Sequence, residues 1–166
     1  PNNLHFEMAK AALLAGKHVV CEKPLATTID EGNELLQLAR KKGLVHAVHF
    51  NIRYYPLVRQ MKVMREKGEM GEIYSIIGSY LQDWLFYATD YNWRLEPELS
   101  GKSKAIADIG SHLMDLLEYI SGLKITEVMA DFKTIHPVRK KPLKPVETFT
   151  DNVIIPSLDK SIVKSF

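Results

Sequence analysis

A chain of 166 residues, 46% hydrophobic and 25% charged, has the composition of an ordinary globular protein and is long enough to bury a core. No apolar run reaches the roughly 18–20 residues that a membrane-spanning helix needs, so no membrane role is expected. Balanced charge, 22 basic against 20 acidic side chains, argues against a nucleic-acid partner, and a single cysteine excludes an internal disulfide and suits a reducing cytoplasm.

The chain opens on Pro1-Asn2-Asn3, without an initiator Met or a basic leader, and reads as one entered in mid-fold. Asn2 and Asn3 are placed to cap a helix over about 4–15, in which Leu4, Met8, Ala11 and Ala12 recur at helical spacing; Gly16 ends it. Residues 18–21 are a short apolar strand of the kind buried in a parallel sheet, which makes Cys21 a packing residue. After a turn over 22–27, Thr28 and Glu31 have capping-box spacing, Leu35, Leu36, Leu38 and Ala39 form an apolar face, and Gly43 stops the helix. Residues 45–50 are a second strand. Helix, strand, helix, strand with short links is the pattern of a doubly wound α/β sheet, of which two strands are only a part.

Residues 53–67 read as a connecting helix closed by Gly68 and Gly71, followed by a β-prone run over 73–81. An aromatic-rich loop then carries Trp84, Phe86, Tyr87, Tyr91, Trp93 and Arg94. Residues 105–121 are helical, with Leu113, Leu116, Leu117 and Ile120 on the core side and Gly122 at the stop; 125–135 read as a strand. Arg139, Lys140, Lys141 and Lys144, set among Pro137, Pro142 and Pro145, read as a solvated basic loop.

Two places combine reactive groups with special backbone. Glu22-Lys23-Pro24 follows the first strand, at the sheet edge where ligands of open α/β folds bind; a cis Pro24 would turn Lys23 into the cleft. From the residues alone, a solvent-facing Glu-Lys turn is the competing reading. Asp108-Ile109-Gly110-Ser111-His112 opens the last helix, and spacing of four puts Asp108 and His112 on one face, an imidazole beside a carboxylate suited to accept a proton. A capping Asp with a packed helix histidine is the alternative there. His46 and His49 are three apart on a strand and face opposite sides, so no metal site is expected. His5, His18 and His136 have no reactive neighbours in sequence, and no nucleophile-elbow motif is present.

The segment Ala15-Gly16-Lys17-His18-Val19-Val20-Cys21-Glu22-Lys23-Pro24-Leu25 closely resembles the glucose–fructose oxidoreductase/inositol dehydrogenase (Gfo/Idh/MocA) family. Pro1-Asn2 and Leu4-His5 fit the preceding helix start. Asn51, Arg53 and Pro56, then Gly68, Gly71-Glu72-Ile73, Asn92-Trp93-Arg94 and Asp108-Ile109-Gly110-Ser111-His112-Leu113-Met114-Asp115 follow in family order over roughly residues 1–135.

The resemblance implies an α/β fold: the C-terminal half of a Rossmann doubly wound parallel sheet over 1–52, then an incomplete α+β open-faced mixed-sheet domain over 53–166. It implies NAD or NADP as cofactor, a sugar, inositol or related polyol as substrate, and a homo-oligomer formed through the second-domain sheet. Lys23, Asp108 and His112 then correspond to the catalytic residues. Glu22, Lys23, Pro24 and Arg94 are the expected cofactor contacts, and Tyr91 and Trp93 join Lys23, Asp108 and His112 around substrate.

Three departures accompany the likeness. No G-x-G-x-x-G phosphate loop occurs, so the chain is expected to lack a pyrophosphate cradle. Ser100-Gly101-Lys102-Ser103-Lys104 replaces a glycine run, and Thr150-Asp151-Asn152-Val153 starts a strand that 156–166 do not continue. An NAD-assisted glycoside hydrolase of the same superfamily and a non-catalytic truncated fragment are the alternative readings.

Overall fold

The computed structural model describes residues 1–141. A 3-10 turn over Asn2–Leu4 leads into helix α1, His5–Leu14. Asn2 and Asn3 do not cap it. Asn2 is buried, and its side-chain amide donates to the Ser100 carbonyl at 2.9 Å, tying the start of the chain to a segment far along it. The buried face of α1 also differs from the expected one: Ala9 and Leu13 are inside, while Leu4 and Met8 are exposed. Apolar side chains lie on several sides of this short helix, so its periodicity could not select the face that packs.

Strand β1, Val19–Cys21, pairs in parallel with β2, His46–Val48, in the register Val19↔His46, Val20↔Ala47, Cys21↔Val48. Bonds from Val19 N–H to the Val45 carbonyl and from His49 N–H to the Cys21 carbonyl extend the ladder at both ends. Between the strands runs α2, Ile29–Lys42, opened by the predicted capping box of Thr28 and Glu31 and closed by Gly43 at φ 62°. That left-handed backbone is open to glycine at no steric cost.

Ala9, Leu13, Cys21, Leu35 and Ala39 form the core here, with Phe6, Val19, Leu25, Leu38 and Leu44 against them. Burying a leucine such as Leu13, only 2% exposed, contributes on the order of 2 kcal/mol. Cys21 is a buried free thiol whose pKa is pushed up by burial, as suits a packing residue.

A 3-10 turn, Asn51–Tyr54, leads into α3, Pro56–Glu66, with Pro56 in the first turn where its missing N–H costs nothing. A short helix α4, Pro97–Ser100, precedes a single π-turn, Ile106–Gly110, in which the Ser111 N–H reaches back to the Ile106 carbonyl. Helix α5, Ser111–Ser121, continues from it and ends at Gly122, φ 74°. The one continuous helix expected over 105–121 is therefore interrupted at its start by a wider turn. Arg65 of α3 donates to the Ile120 carbonyl at 3.0 Å and docks α3 on the end of α5.

Two expectations about the second half are corrected. Residues 73–81 and 125–135 are not hydrogen-bonded into a sheet among the described residues, although the first run crosses α5 so closely that a Cβ on Gly78 would lie 3.4 Å from Leu113 Cδ1. β-Propensity becomes a strand only where a ladder partner lies alongside. Tyr74, Ile77 and Met129 are almost wholly exposed instead.

The basic segment is not simply a solvated loop. Arg139 donates to the carbonyls of Leu85 and Tyr87 at 2.9 and 2.7 Å, His136 bonds the Phe86 carbonyl at 2.9 Å, and Lys141 pairs with Glu96. Carbonyls of the aromatic loop with no ladder partner take up the Arg139 guanidinium. Lys144, Pro142, Pro145 and the strand start at 150–153 lie outside the described residues.

Candidate active site

The parallel register brings the carboxyl ends of β1 and β2 side by side, and the groups that follow them meet there. His49, one residue past β2, pairs through Nδ1 with Glu22 Oε1 at 2.8 Å. That hydrogen bond holds the Glu22 carboxyl below the usual carboxylate range. The Lys23–Pro24 peptide bond is cis, and the Pro24 carbonyl accepts a bond of 2.7 Å from His5 Nδ1 on α1. His5, unremarkable by its sequence neighbours, thus anchors the turn that carries Lys23.

Lys23 leaves this turn with its side chain only 13% exposed and reaches the π-turn, where Nζ donates to the Asp108 carbonyl at 2.6 Å and to Asp108 Oδ1 at 2.9 Å. The same Oδ1 accepts from Arg94 Nε at 3.2 Å. Arg94 lies over the rings of Trp93 and Trp84, 4.5 and 5.4 Å from the centroids, and also donates to Asn92 Oδ1. One carboxylate is therefore shared by two cations, one from the turn after β1 and one from the aromatic loop, and the cluster keeps a net positive charge.

His112 is buried on the first turn of α5. The four-residue spacing does not join it to Asp108 by a hydrogen bond. In a turn closed by an i to i+5 bond, four residues fall short of a full revolution, and Asp108 is already engaged by Lys23 and Arg94. Phe50 and Tyr80 meet the imidazole edge-on, at 5.8 and 6.2 Å between centroids. Nδ1 is buried with no hydrogen-bond partner among the described residues, so Nε2 is the ring nitrogen that a ligand can reach. Burial, and then the nearby Lys23 ammonium, hold the pKa of His112 below that of a free histidine. Both influences favour the neutral ring, the form able to accept a proton.

A cavity of about 260 Å³ opens between these groups, lined by Lys23, His112, Asp108, Arg94, Tyr80 and Trp84, with Gln82, Asn92 and Ile109 completing it. Lys23, Asp108, His112 and Arg94 were singled out in the sequence and meet here. Glu22 and Pro24 stand behind Lys23. Tyr91 and Trp93 are not among the lining residues: the Tyr91 hydroxyl donates to Glu96, and Trp93 lies against Arg94. Sequence reasoning missed Tyr80 and Gln82, which sit at and just beyond the end of the β-prone run, and left Trp84 as one aromatic among several. The spacing of two from Tyr80 through Gln82 to Trp84, one face of an extended chain, was the available signal.

No helix among the described residues is long and apolar enough to cross a membrane. Residues 1–50 match the family model for the oxidoreductase family with an NAD-binding Rossmann fold, and residues 58–155 match that for the GFO/IDH/MocA C-terminal domain. The chain is 41% identical over 143 residues to levoglucosan dehydrogenase of Pseudarthrobacter phenanthrenivorans, covering 84% of this chain and 35% of that protein. A solved levoglucosan dehydrogenase in complex with NADH and levoglucosan superposes with a TM-score of 0.70 at 42% identity, over 74% of this chain and 33% of that one. An inositol dehydrogenase homolog from Azotobacter vinelandii complexed with NAD+ gives a TM-score of 0.67 at 34% identity, over 72% and 32%. The chain thus spans about a third of the length of the relatives it matches. With both family models matched in chain order and the Lys23, Asp108 and His112 motifs falling within them, the chain belongs to the Gfo/Idh/MocA oxidoreductase family, with a Rossmann-type α/β segment followed by the family's C-terminal domain.

Proposed function

We propose that the whole protein is an NAD(P)-dependent dehydrogenase of a sugar, inositol or related polyol, and that Lys23, Asp108 and His112 carry out its proton chemistry. The observation that carries this reading is the convergence of a buried imidazole and a carboxylate-anchored ammonium on one cavity. The donor set fits the nicotinamide end of such a cofactor: the cavity holds a proton acceptor and a fixed cation at the carboxyl edge of a parallel sheet, and none of its side chains takes up two electrons. Bound nicotinamide supplies hydride acceptance from, or donation to, the substrate carbon.

His112 Nε2 takes the proton from the substrate hydroxyl. Lys23 has three N–H donors, two of them directed to Asp108, and the third is left for the reacting oxygen. A cation held this way stabilises the negative charge that develops as the proton leaves, without having to reorganise. Asp108 fixes Lys23 and partly offsets the lysine and arginine charges. Glu22 and Pro24 shape the cofactor side of the turn. Arg94 works beside them through Asp108, and Trp93 and Tyr91 support the substrate wall from behind.

Sugar and cyclitol substrates are supported by relatives named for levoglucosan and inositol. Residues 1–52 are assigned to the nucleotide-binding domain and 53–166 to the substrate domain, a division supported by the interval between the two family matches. A homo-oligomer through the second-domain sheet is part of the same proposal. A cytoplasmic location is supported by the single, buried, free cysteine.

The test is product analysis of the whole protein with NAD or NADP and a panel of pyranosides, anhydrosugars and inositols. Stoichiometric reduced cofactor and a ketone product are expected. Glycoside cleavage without net cofactor reduction would replace the dehydrogenase reading with the hydrolase one.

A further inference from the structure

Resting on that reading, we propose that Arg53 and Asp115 are positioning residues for His112: a half-buried ion pair outside the cavity lining that sets the aim of the proton acceptor.

His112 lacks the usual means of orientation. Its Nδ1 has no hydrogen-bond partner among the described residues, and the neighbouring carboxylate, Asp108, is engaged by Lys23 and Arg94. What holds the ring is packing, with Phe50 edge-on at 5.8 Å and Tyr80 on a second side. The position of Phe50 therefore becomes the position of the base.

Phe50 immediately precedes the Asn51–Tyr54 turn, and that turn is locked to α5 through Arg53. Arg53 Nε donates to Asp115 Oδ2 at 2.7 Å while its NH2 group donates to Oδ1, the two-pronged geometry that fixes direction as well as distance. The Asp115 side chain is only 7% exposed and lies three residues after His112, on the same side of the helix. The guanidinium also lies 5.9 Å from the Phe50 ring centroid and 5.0 Å from that of Tyr119, one turn further along α5. Arg53 is thus fixed to α5 at two points and covers the aromatic ring that meets His112. With the Arg53 side chain 39% exposed and Asp115 inside, the pair adds modest net stability, and its effect is to hold one arrangement of the connector against the helix.

The pair also acts on His112 through charge. The groups around the imidazole are Lys23 and Glu22 from the end of β1, Asp108 from the π-turn and Asp115 on α5. Asp115 favours the protonated ring, against burial and Lys23, and Arg53 balances Asp115. Removing either member of the pair therefore pushes the histidine in opposite directions, which a purely structural role would not do.

The experiment compares Asp115→Asn, Arg53→Met and Arg53→Lys in the whole protein. It measures kcat, sugar KM, NAD affinity by calorimetry, the acid limb of kcat/KM, and the imidazole nitrogen shifts of His112. Asp115→Asn and Arg53→Met should each lower kcat about tenfold or more, with sugar KM and NAD affinity changed less than about threefold. The acid limb should move to lower pH in the first variant and to higher pH in the second. Arg53→Lys keeps the charge and loses the fork, so kcat should fall while the limb stays in place. It also decides the question if a charge-removing variant does not fold. Parent-like kcat and an unmoved limb in folded variants would overturn the proposal, as would losses that track melting temperature alone. If His112→Ala itself retains turnover, the base assignment fails; if it is inactive while Asp115→Asn and Arg53→Lys are normal, only the positioning role fails.

Discussion

Lys23 and His112 line the same cavity and are held there by opposite kinds of force. Lys23 arrives from the end of a parallel strand and is anchored by hydrogen bonds to both the backbone and the side chain of Asp108. His112 sits on a helix start, meets two aromatic rings edge-on, and has a ring nitrogen with no partner among the described residues. The ammonium is fixed by direction, the imidazole by packing. A cation that must meet developing charge gains from rigid, compensated anchoring. A base that must exchange a proton near neutral pH gains from a dry surround that keeps it neutral.

The sharpest test of this contrast is removal of each group. Lys23→Ala and His112→Ala should each lower kcat in the whole protein by at least about a hundredfold. Near-normal turnover of either would break the pairing of roles. Next in size is Asp108→Asn, which leaves an acceptor for Lys23 but removes the charge that balances it. Loss of one charge-assisted bond predicts a fall in kcat of about tenfold, with NAD affinity little changed in calorimetry. An equal loss of cofactor binding would show that Asp108 acts mainly by building the cofactor side of the turn.

The two anchoring modes also differ in their response to pH. The pKa of His112 is depressed, by burial first and Lys23 second, so the acid limb for alcohol oxidation should lie below the free-histidine value of about 6.5. The sign for stability is the same. The unfolded chain binds this proton first as pH falls, so the contribution of His112 is complete above about 6.5 and declines as pH drops through the lower folded value. A limb at or above 6.5 in the pH–rate profile would place a different group in the role of base. The smallest expected effect lies away from the cavity. Thr28→Ala removes one half of the capping box on α2 and should cost about 1 kcal/mol in denaturant unfolding while leaving kcat/KM unchanged. A kinetic defect in that variant would mean that the Rossmann half transmits strain to Lys23 more strongly than the hydrogen-bond anchoring implies.

Legibility in the sequence followed the range of the interactions. The capping box of Thr28 and Glu31, the glycine stops at Gly43 and Gly122, and the strand that delivers Glu22-Lys23-Pro24 all depend on neighbours a few residues apart, and each was readable from order alone. The family order of short motifs picked out Lys23, Asp108 and His112 as a set. Geometry between the motifs was not readable. Helical spacing put Asp108 beside His112, whereas the π-turn gives the carboxylate to Lys23 and Arg94. The basic cluster at Arg139 looked solvated because its acceptors, the Leu85 and Tyr87 carbonyls, lie more than fifty residues away.

By itself, then, the sequence determined the helix–strand–helix–strand order of the first fifty residues, the capping box on α2 and the glycine stops, because caps and stops are local properties. Tertiary structure alone decided the rest: that Asn2 is tied to Ser100, that Tyr80, Gln82 and Trp84 wall the cavity, and that Arg53 locks onto Asp115 behind His112. Those choices depend on which surfaces meet once the chain has packed, and on which of several possible partners each buried polar group then finds.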